Sequence, residues 1–264
     1  MRFGPFLLAL LGAAVLATAL QPMPTAADSP GGVMREMLAS TAQVVVIREG
    51  GTRRAGSSVV VSNGEGRSLL VTAAHVLTPV EEQEIHALTP LGRTAKPARL
   101  IAVDADADLA ILEVEAFEAN SITFASRAML GDPIFVASFP WGGRATVVSG
   151  MVSQIDHVTG EDDGGFPLEG PVALIDATVS HGMSGGGVYD RDSGALVGIV
   201  RSHRSVKVTV PGEAERTITL PVAGETNVVS ARKILCFLAE AGYRDAVPAP
   251  LYDELTGAGC SLTN

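Results

Sequence analysis

From about residue 43 onward the chain reads as short apolar, β-branched runs broken by Gly, Pro, Asn and Asp. They are "QVVVIRE", "SSVVVSN", "SLLVTAA", "ARLIAVD" and "LAILEVE", then "PIFVASF", "ATVVSGMVSQI", "PVALIDATV", "GALVGIV", "VKVTV" and "TITLPVA". Runs of this length and spacing predict strands. No helical pattern of ten or more residues separates them, which argues against a doubly wound α/β sheet. The segment "EAFEANSITFASRAMLGD" has no clean period and divides the runs into two groups, so it reads as a linker between two halves. The polar, glycine-rich "EDDGGFPLEG" reads as an exposed hairpin loop. Helical patterning occurs only at the ends. "GGVMREMLASTAQ" suits a short helix, and "ETNVVSARKILCFLAEAGY" places Val228, Ala231, Ile234, Leu235 and Leu238 on one face, with Gly242 at the C-cap.

The expected architecture is all-β: two six-stranded antiparallel β-barrels and a C-terminal α-helix. The first barrel covers about 42–118, the second about 126–224, and the helix with its tail about 226–264, all within one domain over 28–264. Two barrels leave a cleft between them, where ligand sites concentrate.

The first segment follows a different grammar. In "MRFGPFLLALLGAAVLATALQPMPTAADS", Arg2 precedes an apolar run from Phe6 to about Leu20, with small residues after it. This predicts a secretory signal peptide over 1–27, cut after Ala19 or Ala27. A retained anchor is the alternative, for which the run is short. No later segment is long and apolar enough to span a bilayer, so the expected product is exported, periplasmic or secreted, with no stable membrane span after cleavage. The formal net charge of −10 gives no basic footprint for nucleic acid. Of the two cysteines, Cys236 and Cys260, export would allow pairing as a staple on the last segment; a free buried pair is the other reading. No cluster has metal-ligand spacing and no cofactor is implied.

Three short stretches carry candidate chemistry. In "SHGMSGGGV", Ser184 stands between Gly182 and Gly185-Gly186-Gly187. This is either a plain glycine turn or a turn whose glycines let a carbonyl approach the backbone, so that the N–H groups of Gly182 and Ser184 meet its oxygen. In "LLVTAAHVLTP", His75 follows a buried strand and two alanines, at a point where an imidazole can take and return a proton. In "VDADADLAILEVE", Asp108 stands directly before an apolar run, and packing of that strand would pull it inward to orient an imidazole; Asp104 and Asp106 are expected on a solvated turn.

Taken together, in the order His75, Asp108, Ser184, these stretches resemble the chymotrypsin-like (trypsin-like) serine peptidases, most closely the HtrA-type protease domain. The resemblance also rests on "VVSGMVSQI" and "LIDATVSHGMSGGGVYDRDSGALVGIV", and it covers about Gln43 to Val229. It implies the two-barrel trypsin-like fold and serine endopeptidase activity on protein or peptide substrates through an acyl-enzyme. By that resemblance Ser184 is the nucleophile, His75 the base and then the acid, and Asp108 the group fixing the histidine tautomer. Gly182 and Ser184 supply the oxyanion hole. The substrate pocket falls on Thr178, Val179, Ser202 and His203, beside Arg201. Two departures stand out. Met183 occupies the place of an aspartate that pairs with a new N-terminus in digestive members, so activation by N-terminal insertion is not expected. The chain also stops soon after its last helix, without room for the PDZ domain that HtrA members usually carry.

Two other readings compete. "GMSGG" satisfies the G-x-S-x-G elbow of α/β-hydrolases, but that fold needs its acid and histidine after the serine, and only His203 follows. The second is a catalytically inactive peptidase-like module that binds extended peptides by strand addition.

Overall fold

The computed structural model describes residues 30–80, 83–90, 92, 94–117, 122–156, 167–210, 216–257 and 260. The expected signal segment, and most of the expected hairpin loop at 161–170, lie outside the described residues. Helix α1 (Pro30–Ala39) leads into the first group of strands: β1 (Thr41–Arg48), β2 (Arg53–Gly64) and β3 (Arg67–Ala73). A single turn of helix, α2 (Ala74–Leu77), precedes β4 (Gln83–Leu88), β5 (Lys96–Asp104) and β6 (Leu109–Glu115). These close into one antiparallel barrel in the order β1-β2-β3-β6-β5-β4. A two-residue β7 (Ala128–Met129) precedes β8 (Pro133–Ser138) and β9 (Thr146–Ile155), and β10 (Glu169–Gly170) pairs with β7. Then come β11 (Val172–Ile175), β12 (Gly187–Asp190), β13 (Leu196–Val210) and β14 (Arg216–Ser230). The second barrel closes as β11-β14-β13-β12-β8-β9. Helices α3 (Ala231–Glu240) and α4 (Ala249–Gly257) end the described chain.

Strand alternation explains why several runs are apolar throughout rather than at every second position. In β2, β3 and β6, Val60, Leu70, Ala110 and Leu112 fill the first barrel. Their neighbours Val59, Val71, Leu109 and Ile111 point the other way, into a second core shared with Leu196, Ile199 and the α3 residues Ile234, Leu235 and Leu238. Both faces of these strands are buried, so neither face needs polar residues. This shared core welds the barrels and fixes the cleft between them.

The two barrels and the terminal helix are as expected from the sequence, but strand membership differs. β4 and β12 are additions: "QEIHAL" offers only Ile85 and Ala87 to the core, and "GVYD" is short and merges with the glycine run. Conversely, "GALVGIV" and "VKVTV" are parts of one strand, β13. The helix expected from about 226 begins instead at Ala231, because Thr226 to Ser230 complete β14, with Val228 opposite Val200 and Val229 opposite Ile199. β-Branched Val228 and Val229 favour the strand, and Ser230 stops it by capping α3, accepting the Lys233 N–H at 3.4 Å.

Cys236 on α3 and Cys260 are joined as a disulfide, with Cα atoms 5.4 Å apart and 24 residues of separation. Closing a loop of that size restricts the unfolded chain by about 3 kcal/mol. Cys260→Ser is therefore expected to lower the denaturant midpoint, and dithiothreitol to lower the wild-type midpoint equally while leaving the variant unmoved.

Candidate active site

His75 lies on α2, immediately after β3 delivers the chain to the barrel rim. Asp108 lies directly before β6, at the end of a turn that Asp104 closes by accepting the N–H groups of Asp106 and Ala107 at 2.9 and 2.8 Å. The turn puts Asp108 in the left-handed region (φ 57°), a conformation aspartate tolerates better than most residues, and buries it. Its carboxylate takes the His75 backbone N–H on Oδ1 at 2.9 Å and faces His75 Nδ1 with Oδ2 at 2.8 Å. Its own carbonyl accepts the Ala74 N–H at 3.0 Å. Three hydrogen bonds thus bind α2 to one residue, and imidazole orientation follows from the backbone as much as from the side chain. Arg201 reaches across from β13: its Nε stands 3.7 Å from Asp108 Oδ2 and its Nη2 donates to the Asp106 carbonyl at 3.3 Å.

The Ser184 segment belongs to the second barrel but is tied to the first. Ser57 on β2, wholly buried, donates its N–H to the Ser184 carbonyl and its Oγ–H to the Gly182 carbonyl, and its Oγ accepts the Phe139 N–H, each at 2.8 Å. On the other side, the Gly185 N–H donates to the Val200 carbonyl and the Val200 N–H to that of Gly186, both at 2.8 Å. Met183 is buried in the second-barrel core and anchors the loop apolarly, where an ion pair would otherwise do so.

The glycines are needed here for space as well as conformation. Gly182 has φ 85°, and a Cβ on it would stand 2.7 Å from the Phe139 carbonyl oxygen and the Trp141 nitrogen. Gly185 has φ 82°, and a Cβ there would overlap the Ser57 carbonyl and Thr72. The His181 carbonyl accepts the Trp141 N–H at 2.6 Å. Because a trans peptide holds C=O and N–H antiparallel, this bond turns the Gly182 N–H away from Trp141. Among the described residues, the N–H groups of Gly182 and Ser184 have no intramolecular acceptor.

His75, Gly182 and Ser184 open onto one cavity of about 870 Å³, together with Ser180, His181, His203 and Trp141. His75 and Ser184 share this cavity without a direct hydrogen bond, a looser arrangement that substrate commonly tightens. Of the expected pocket residues only His203 lines it. Val179 alternates inward to the second-barrel core, Thr178 therefore faces outward, and Ser202 is exposed, accepting from Asn227 Nδ2 at 3.3 Å. Ser180 and His181 take the places on the wall. Sequence reasoning passed over Ser57, which sits unmarked in an apolar strand, and Trp141, whose only local sign is the "PWGG" turn.

The chain is 27% identical over 176 residues to a "Serine protease HtrA-like" of Staphylococcus aureus strain USA300, covering 63% of this chain and 22% of that protein. Strain NCTC 8325 has a counterpart with the same figures. The matched part is thus about a fifth of the length of these curated relatives. Among solved structures, a serine endoprotease from Yersinia pestis superposes with a TM-score of 0.60 at 22% identity, over 83% of this chain and 68% of that one. An inactive form of Rv3671c from M. tuberculosis H37Rv superposes with a TM-score of 0.58 at 21% identity, over 83% of this chain and 96% of that one. At these identities the structural matches show the fold alone. The family model for the trypsin-like peptidase domain matches residues 56–199, more than half of the chain and inclusive of His75, Asp108 and Ser184, and on that match the chain belongs to the trypsin-like peptidase family.

Proposed function

We propose that the protein is an exported serine endopeptidase working through His75, Asp108 and Ser184. The observation that carries this reading is the Asp108–His75 pair at 2.8 Å, opening on the cavity that also holds Ser184 and two unengaged N–H groups. Asp108 accepts the Nδ1–H of His75, so the lone pair is left on Nε2, and the imidazole takes the Ser184 proton as Oγ attacks the scissile carbonyl. The oxygen of that carbonyl gains charge and is met by the Gly182 and Ser184 N–H groups, each donor contributing about 3–4 kcal/mol in comparable sites. His75 then passes its proton to the leaving amine, and water repeats the sequence to release the acyl group. Ser57 and Met183 act as positioning residues, holding the loop that presents both donors. β13 loses its pairing with β12 after Ile199 while β14 continues beside it, so Arg201 to His203 offer one strand edge to an extended substrate. The Cys236–Cys260 disulfide favours an oxidising compartment, in keeping with an exported chain.

A fluorophosphonate probe tests the reading, since it reacts only with an activated hydroxyl. Wild type is expected to label stoichiometrically, and Ser184→Ala and His75→Ala not at all. Folded wild type that stays unlabelled would leave a peptide-binding module in place of an enzyme.

A further inference from the structure

The charge of the cavity is opposite to that of the molecule. The chain has a net charge of −10, yet among the described residues the cavity wall carries two guanidinium groups and three imidazoles and no carboxylate. Asp108 lies behind His75, already shared between that imidazole and Arg201. The two guanidiniums are Arg53 and Arg54, at the start of β2, a few residues before Ser57. Arg54 Nη1 donates to the carbonyls of His75 and Thr78 at 3.0 and 3.1 Å, neutral partners that fix it and leave its charge uncompensated. The Arg53 side chain has no ion-pair or hydrogen-bond partner among the described residues. Several arginines outside the cleft are paired: Arg67 and Arg99 face Glu113 at 3.1 and 2.9 Å, and Arg204 faces Glu225 at 3.0 Å. With 29 acidic against 19 basic residues, carboxylates are plentiful; Arg35 and Arg232 also stand without one among the described residues, but in the cleft two such arginines share one wall from which carboxylates are absent.

We infer that the cleft selects acidic peptide segments, with Asp or Glu side chains flanking the scissile bond received by Arg53 and Arg54. A guanidinium presents a planar fork of donors that matches a carboxylate, and both Arg53 and Arg54 are exposed on the cavity wall, where an incoming side chain can reach them. On the second-barrel wall the side chains of His181 and His203 continue the donor surface. Their rings stand 6.2 Å apart, and Trp141 meets His181 edge-on at 4.9 Å. A cleft lined by one sign of charge raises the local concentration of the opposite sign, and this field acts on approach as well as in the complex.

The inference rests on the endopeptidase reading for its cleavage measurements only. Three internally quenched peptides are compared, identical except that the residues on both sides of the scissile pair are Glu, Gln or Lys. For wild type, kcat/KM is expected to fall from Glu through Gln to Lys, with the Glu-to-Lys ratio about tenfold or more at low salt and shrinking as ionic strength rises. Arg53→Glu is expected to reduce that ratio by about tenfold or invert it. A ratio is read because it cancels any general loss of activity. Equal rates for the three peptides, or a ratio unchanged in Arg53→Glu, would overturn the inference. Binding of the same peptides to Ser184→Ala, followed by emission of Trp141, the chain's one tryptophan, separates the two readings. Charge-selective binding without cleavage or labelling of wild type sinks the enzyme and keeps the acidic preference. Labelling with indiscriminate cleavage does the reverse.

Discussion

Ser184→Ala is expected to reduce peptide hydrolysis by about 10⁵- to 10⁶-fold, the scale on which removal of an activated serine acts in such sites. The substitution removes one oxygen and nothing that holds the loop. Ser184 enters the scaffold through its backbone: its carbonyl takes the Ser57 N–H at 2.8 Å, and the next residue is bonded to Val200. Its Oγ has no hydrogen-bond partner among the described residues. Stability should therefore move by no more than about 0.5 kcal/mol, as for a substitution outside the known destabilising mechanisms. The Ser184 backbone N–H, proposed above as an oxyanion donor, is also retained, so substrate affinity should persist while turnover disappears. Steady-state hydrolysis of an unquenching peptide, beside a thermal melt, checks both halves. A variant that cleaves within tenfold of wild type would remove Ser184 from the chemistry. One that unfolds would show instead that the hydroxyl has a structural task.

The barrels were legible because strand alternation and turn punctuation are local signals, and their sum was right where individual strands were not. β4 was missed since a strand contributing two apolar side chains to a core has almost no periodic signature. β14 was shortened because Ala231, Ile234, Leu235 and Leu238 form a helical face, and Val228 happens to fall in step with it. The choice between helix and strand there is tertiary, made by the pairing of Val228 and Val229 with β13. At the candidate site, His75, Asp108 and Ser184 were legible as candidates because each stands where a recognisable strand or glycine turn delivers it. The surrounding wall was not. Ser57 meets Gly182 across 125 residues of sequence, and Arg53 and Arg54 meet the cavity only because β2 runs beside β1 and α2. Ser180 and His181 reach the cavity in place of Thr178 and Val179 because the chain has left β11 and turns toward Gly182, a course that strand alternation does not predict.

Asp108→Asn is expected to lower kcat by about 10⁴-fold with little change in fold, and the reason lies in how the carboxylate is held. Oδ1 accepts the His75 backbone N–H at 2.9 Å, and Oδ2 faces His75 Nδ1 at 2.8 Å. Asparagine has the same outline and suits the left-handed backbone found at this position, so the turn should survive. Its amide has one acceptor, however, and the backbone N–H of His75 claims it at the Oδ1 position. The NH₂ group then lies where Oδ2 was and donates to Nδ1. Imidazole must answer by carrying its proton on Nε2, the nitrogen that has to accept one from Ser184, and base catalysis is lost. Reversing the amide does not help, since it would set an N–H donor against the backbone N–H. Fluorophosphonate labelling of Ser184 should slow by a similar factor, because it needs the same proton transfer. Labelling and hydrolysis within tenfold of wild type would mean that Asp108 serves the turn and not the imidazole. If hydrolysis falls while labelling does not, the loss would lie in substrate binding.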